Sequence, residues 1–436
     1  MTFGDNFVFG CATSAFQIEG GIRNDWSTWA DAGRLKNPDE RPGLAVDHWN
    51  RWRDDFALLS ELGVDAYRFS IEWARVEPEP GRFNEGALAQ YRDMLDELRA
   101  RSIEPFVTFH HFTHPPWFHQ LCPWHRLETR PWDRFGAFVQ ACLRIFEDRV
   151  RFFTVLNEPN VWLSGSYVSG KIPPGQCSLR GACRAAEALV RAHVAARNAI
   201  KEAIRAAQVV IAHNQILIAP AGPGAGDAIV QRYVDRHFNY AFLDALHTGE
   251  LALGMLPGLR YRAQIDGAEG SLDFIGMNYY FRAFMQLGLQ GPQLFVEDRS
   301  QQGISELGWE IYPQGFGYFL RRLAHYGRPI YVTENGMSDA RDERRPQFLH
   351  DHLQEILRAR ADGVDVRGYF HWSLLDNFEW LEGMEPSFGL YEVDRDSLRR
   401  RPRASAQLYR RIIEQRKLGE RPEAPAPERP RRRPVG

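Results

Sequence analysis

Two glutamates carry the strongest chemical signal in the chain. Glu158 lies in Leu156-Asn157-Glu158-Pro159, and Glu334 lies in Val332-Thr333-Glu334-Asn335-Gly336. Each follows an apolar run directly, which reads as a carboxylate at the end of a buried strand rather than on a helix surface. Two carboxyl groups at one pocket suit the hydrolysis of a glycosidic bond. One protonates the leaving oxygen, and the other attacks the anomeric carbon or activates water. A lone Glu-Pro or Glu-Asn is more often a helix cap or an arginine partner. The pair together, each at a strand end, favours chemistry.

Such placement needs a sheet whose strand ends converge. The chain repeats an amphipathic helix, a glycine and a short apolar strand. Trp52, Phe56 and Leu59 share one helical face, and Gly63 suits the left-handed position that ends such a helix. Leu88, Tyr91, Leu95 and Leu98 form another such face. Eight strands are expected, near Phe7–Gly10, Asp65–Phe69, Pro105–Phe109, Phe152–Leu156, Val209–Ala212, Phe274–Met277, Ile330–Thr333 and Val366–Phe370. Most are continuous apolar runs, as in parallel strands buried on both faces. Eight strand–helix units predict an α/β fold, a single closed (β/α)8 TIM barrel with its chemistry at the strand C-terminal ends. An open doubly wound sheet would call for a G-x-G-x-x-G loop after the first strand, and none is present. The expected organisation is one catalytic barrel over residues 1–415. A Pro- and Arg-rich tail over 416–436, poor in apolar residues, is expected to be disordered.

In that barrel the polar residues just past the strands gather at one end. They are Gln17 and Glu19, Arg68, His110 and His111, Asn157 and Glu158, Asn278 and Tyr280, Glu334 and Asn335, then Trp372, Glu379 and Trp380. Side chains of this kind add little to barrel stability, so their concentration reads as function.

These segments resemble glycoside hydrolase family 1, the β-glucosidase family. Asn157-Glu158-Pro159 and Thr333-Glu334-Asn335-Gly336 look like its two signature motifs. Phe9 to Gly20, Tyr67 to Trp73, Gly276 to Tyr280 and Trp372 to Trp380 resemble further family segments in the same order. Arg401 to Ala406, followed by Tyr409, is similar to the family's closing helix. The resemblance implies a retaining enzyme with Glu334 as nucleophile and Glu158 as acid/base. Arg68 and Tyr280 would hold the nucleophile, and Asn157 would bind the sugar 2-hydroxyl. Gln17, His110, Glu379 and Trp380 would bind the other hydroxyls, with Trp372 as the stacking platform. His111, Asn278 and Phe388 would complete the substrate pocket. No cofactor is implied, and the expected partner is a β-glycoside, with glucosides first and galactosides or fucosides second.

The chain departs from the family pattern at three places. His111 stands where Trp is common, and Val155 stands where Thr is usual. The segment between strands six and seven looks short, which would open the aglycone side. In the loop after strand eight, Glu379, Pro386 and Phe388 occupy the positions at which phospho-glycosidases of the family hold a phosphate with Ser, Lys and Tyr. A preference for free sugars is therefore expected.

A metal-dependent hydrolase is the rival reading, from His110, His111, His114, His119 and His125. Adjacent His110 and His111 point to opposite sides of a strand and chelate poorly together. No H-x-H motif follows strand one, so no metal is expected. The 436 residues carry 54 Lys+Arg against 56 Asp+Glu, a balance that argues against a nucleic-acid surface. Five scattered cysteines suggest neither a disulfide framework nor a zinc site, and a reducing cytoplasm fits them. The N-terminus shows no basic and apolar leader pattern, and no apolar stretch has the length of a membrane span.

Overall fold

The structure is a computed structural model that describes residues 2–256, 259–288, 291–425 and 433–434. Eight parallel strands form the barrel: β1 (Val8–Ala12), β2 (Ala66–Ser70), β3 (Glu104–His110), β4 (Phe152–Asn157), β5 (Gln208–Pro220), β6 (Ile275–Gly288), β7 (Ile330–Asn335) and β8 (Val366–Trp372). Each pairs with its neighbours in order. β8 pairs with β1 and β6 pairs with β7, which closes the ring. All eight overlap the strands expected from the sequence. Bulky rings fill the barrel floor. Phe106 stacks on Phe152 at 4.2 Å and meets Phe370 at 4.7 Å, while Phe274 meets Tyr331 at 5.1 Å.

Helices cover the barrel through the expected faces. The helix His48–Leu62 buries Trp52, Phe56 and Leu59 and ends at Gly63, whose φ is +71°. A side chain would strain that left-handed position. Gly336, just past Glu334, answers a different need. A Cβ there would lie 1.7 Å from the carbonyl oxygen of Trp372. Only glycine lets the chain after the glutamate pass so close to the end of β8.

β5 and β6 run well beyond their expected ends. They stay paired from Ala212↔Gly276 to Pro220↔Met285 and project past the barrel rim. The segment Gly291–Val296 adds antiparallel to the end of β6. The sequence hides this extension because polar residues interrupt the apolar runs there.

The final helix Ala404–Gln415 ties the loop after β8 to the barrel. Asp376 accepts from Arg403 Nη1 and Nη2 at 2.9 and 2.8 Å and from the Gly389 amide at 2.9 Å. Both side chains are about nine-tenths buried, so losing one strands the other's charge. Asp376→Ala should therefore lower stability by about 3–5 kcal/mol, read from urea unfolding against wild type. An unchanged midpoint would show that the pair is dispensable.

The expected disorder from Arg416 onward does not hold for the first residues of the tail. Arg416 makes a bidentate pair with Asp65, Lys417 bridges Thr2, Leu418 is buried, and Arg421 pairs with Asp351. The composition offers few apolar anchors, but acidic partners on the barrel hold these arginines. Arg433–Pro434 pairs antiparallel with Phe295–Val296. Residues 426–432 and 435–436, the rest of that expectation, lie outside the described residues.

Candidate active site

The ends of the eight strands bring both glutamates into one buried pocket. Glu334 closes β7 and is 3 % exposed. Its Oε1 accepts from Arg68 Nη1 at 2.5 Å, and its Oε2 accepts from the Tyr280 hydroxyl at 2.6 Å. Arg68 comes from β2 and is fully buried. Burial and the Glu334 charge push Tyr280 well above the ordinary phenol range, so it stays a donor. Both oxygens of Glu334 are thus held in place by cationic or phenolic donors.

Glu158 follows β4 with φ +42°, and its amide bonds the Ala212 carbonyl at 2.7 Å. This left-handed turn starts the helix Pro159–Leu163 and swings the carboxyl toward the pocket. Such a conformation in a residue with a side chain stores about 1–3 kcal/mol, which functional sites tolerate. Among the described residues Glu158 takes no cationic partner. Its Oε1 accepts from Asn214 Nδ2 and Asn278 Nδ2, each at 2.8 Å. Burial, then the Glu334 charge, pushes its carboxyl up to about 8, against the smaller pull of the two amides and Arg68. At neutral pH Glu158 therefore holds its proton.

Asn157 links Arg68, the partner of Glu334, to Asn278, a partner of Glu158. Its Oδ1 accepts from Arg68 Nη2 at 2.6 Å and Asn278 Nδ2 at 3.3 Å. Its Nδ2 donates to His111 Nε2 at 3.0 Å. Burial, Arg68 and His110 hold His111 well below the ordinary histidine range, so its ring is neutral and able to accept.

The two adjacent histidines face different surroundings. His111, expected in the substrate pocket where Trp is common, stacks on Trp372 (5.8 Å, 25°) and Trp380 (5.9 Å, 17°) beside Asn157. His110, expected to bind sugar hydroxyls, turns to the opposite side. Its Nε2 lies 2.9 Å from His114 Nε2, and its ring packs among Trp124, Phe135 and Trp162. His114 in turn bonds Asp25 at 3.0 Å. The alternation of β3 does put the two rings on opposite faces, but in the reverse sense. Among the described residues no group of three His, Cys, Asp or Glu can hold a metal ion.

Asn278 also differs from expectation. Its amide nitrogen is spent on Glu158 and Asn157, and its oxygen accepts from Thr333 Oγ1 at 2.6 Å. Its two N–H donors serve Glu158 and Asn157 rather than standing free in the pocket. Glu19 is absorbed by Arg75 at 2.9 Å and by the Tyr91 hydroxyl at 2.7 Å.

The remaining residues converge as a wall. Trp372 Nε1 donates to Glu379 Oε1 at 3.2 Å. Gln17 bonds Asn377 Oδ1 and the Phe378 carbonyl, each at 2.9 Å, and accepts from Ser14 at 2.6 Å. Phe388 is buried near Tyr280, at 6.3 Å. Burial pushes Glu379 up to about 8, against the pull of its neutral partners Trp372 and Asn377.

Two residues here were not singled out from sequence. Asn214 lies on the unexpected continuation of β5, in His213-Asn214-Gln215. Trp309 lies between β6 and β7, 5.4 Å from Tyr280 and 5.1 Å from Phe281, and is half-buried. The polar triplet directly after an apolar strand was the one available signal for Asn214. Nothing in the spacing marks Trp309.

Comparison with known proteins agrees with this geometry. The family model described as glycosyl hydrolase family 1 matches residues 1–418. Beta-glucosidase A of Thermotoga maritima is 33% identical over 440 residues, covering 94% of this chain and 97% of that protein. The solved structure of a beta-glycosidase from Pyrococcus horikoshii superposes with a TM-score of 0.88 at 37% identity, covering 96% of each chain. A T. maritima beta-glucosidase in complex with glucoimidazole gives a TM-score of 0.89 at 30% identity, covering 96% of this chain and 100% of that one. With a closed barrel, a buried glutamate pair and a family match across nearly its whole length, the chain belongs to glycosyl hydrolase family 1.

Proposed function

We propose that the chain is a retaining exo-β-glucosidase, with Glu334 as nucleophile and Glu158 as acid/base, and with β-galactosides and β-fucosides as secondary substrates. The observation that carries this reading is the unequal environment of the two carboxyl groups. Glu334 has a donor on each oxygen, one of them a guanidinium, while Glu158 is raised to about 8 and has no cationic partner among the described residues. Environments that push two carboxyl groups apart assign one to attack and the other to proton transfer. Glu334 attacks the anomeric carbon as Glu158 protonates the departing oxygen. Once Glu334 is esterified its charge is gone, and the acidity of Glu158 rises. It then takes a proton from the incoming water. Relatives named β-glucosidase support the choice of sugar. Five free cysteines support a reducing, cytoplasmic location. The test is NMR of the first-formed sugar from an aryl β-glucoside, followed by rates on a panel of aryl β-glycosides. An α-anomer as first product would sink the retaining assignment.

The pocket is also expected to reject 6-phosphorylated sugars. A phosphate brings a charge of about −1.5 to −2. The positions that would meet it carry Glu379, Pro386 and Phe388, which supply no cation. Since burial raises Glu379 to about 8, its carboxyl keeps a proton at neutral pH. The exclusion then rests less on repulsion than on leaving a desolvated phosphate without a partner. At equal concentration, an aryl β-glucoside should be hydrolysed faster than its 6-phosphate. The reverse order would overturn the role given to Glu379.

A further inference from the structure

A chain of forced hydrogen-bond directions runs from Arg68 to one oxygen of Glu158. A guanidinium has five N–H donors and no acceptor. Its Nη2 lies 2.6 Å from Asn157 Oδ1, so that atom must be the amide oxygen. Asn278 Nδ2, 3.3 Å from the same oxygen, must then donate. That nitrogen also lies 2.8 Å from Glu158 Oε1, while Asn278 Oδ1 takes the Thr333 hydroxyl. Asn214 brings a second Nδ2 to 2.8 Å from Oε1. In this orientation Asn214 is a donor to Glu158, and its own Oδ1 meets no partner among the described residues. Two N–H groups therefore converge on Oε1 and occupy its lone pairs, which leaves no place for a proton there.

We propose that Asn214 and Asn278 are positioning residues that hold Glu158 in a single tautomer, with Oε1 as the carbonyl oxygen and Oε2 as the O–H that protonates the leaving group. The inference rests on the acid/base role proposed for Glu158. In the first step the Oε2–H bond breaks and the proton joins the leaving oxygen. The electron pair of the glycosidic C–O bond departs with that oxygen as Glu334 bonds to the anomeric carbon. The new carboxylate charge is shared with Oε1, where two ordinary hydrogen bonds become charge-assisted ones. The amides thus bind the transition state better than the resting acid. In the second step a water proton returns to Oε2 as the water oxygen bonds to the anomeric carbon and Glu334 leaves. The other charged or titratable groups facing Glu158 are Glu334 from β7, Arg68 from β2 and Tyr280 from β6.

The test compares Asn214→Leu, of similar size and without a donor, with wild type. Two substrates are used, a 2,4-dinitrophenyl β-glucoside that needs little protonation and an alkyl β-glucoside that needs much. Loss of a donor to the charged form should move the basic limb of kcat/KM upward by about one pH unit. The alkyl substrate should lose about tenfold more rate than the dinitrophenyl one. Equal losses on both substrates with an unmoved limb would reveal a merely structural residue and overturn the proposal. Should Asn214→Leu fold poorly by circular dichroism, Asn214→Asp carries the same test. It is nearly isosteric, and its added charge should move the limb at least as far upward. Glu158→Ala run in parallel separates the two claims. If that variant shows no dependence on the leaving group, the role of Glu158 itself fails. If it does and Asn214→Leu does not, only the present inference fails.

Discussion

Glu334→Gln is expected to lower turnover of an aryl β-glucoside by on the order of 10⁴-fold or more, with the fold intact. The amide is nearly the same size and can still accept from Arg68, so the pocket should keep its shape. It cannot form the glycosyl ester, because a neutral amide is a poor nucleophile. No neighbour can take over. Tyr280 is held protonated, Asn157 is an amide, and Glu158 is engaged through Oε1 by two asparagines. Glu334→Ala should be equally inactive and also less stable, because it leaves buried Arg68 without its anion. Breaking such a buried pair costs about 3–5 kcal/mol. Pre-steady-state kinetics on an activated substrate would show the loss in the first step. Turnover within tenfold of wild type in Glu334→Gln would remove this residue from the mechanism.

Glu158→Ala should give a second large effect with a different signature. General acid catalysis contributes about 10²–10⁴-fold, so substrates with poor leaving groups should lose that much. A dinitrophenyl glucoside should still load the enzyme, and the covalent intermediate should then accumulate, because no base activates water. Azide needs no deprotonation, so adding it should restore turnover and yield the β-glycosyl azide. An α-azide would contradict double displacement. The wild-type pH profile follows from the same group. Its folded-state value of about 8 is raised by burial and by the Glu334 charge, so the active protonated form persists through neutrality. It is lost as pH rises through about 8, and kcat/KM should fall there. The Glu158→Ala profile should lack that limb. A limb that survives in the variant would belong to another group, with Glu379, also at about 8, the first to examine.

Arg68 links these two experiments. Its guanidinium holds Glu334 through Nη1 and, through Asn157 and Asn278, reaches Oε1 of Glu158. Substituting it disturbs both roles at once and cannot separate them. The single-residue changes at Glu334, Glu158 and Asn214 can.

The barrel and its pair of strand-end glutamates are local properties of the chain. Continuous apolar runs mark most of the eight strands, because a strand buried on both faces admits little else. Glu158 and Glu334 stand out because each directly follows such a run, and the strand end fixes its place at the pocket mouth. The family resemblance reaches the same residues by the same segments. Tertiary structure decided what those side chains do with their hydrogen bonds. Which of His110 and His111 faces the pocket depends on where the alternation of β3 ends, and a shift of one residue reverses it. Asn278 resembles a substrate contact until Asn157 and Glu158 are seen to take both its N–H donors and Thr333 to donate to its oxygen. Asn214 lies on a part of β5 that forms only because β6 runs alongside it. The proton on Glu379 reflects burial, which exists only in the packed chain. Apolar periodicity is written residue by residue, whereas hydrogen-bond saturation and desolvation belong to groups brought together from strands far apart in sequence.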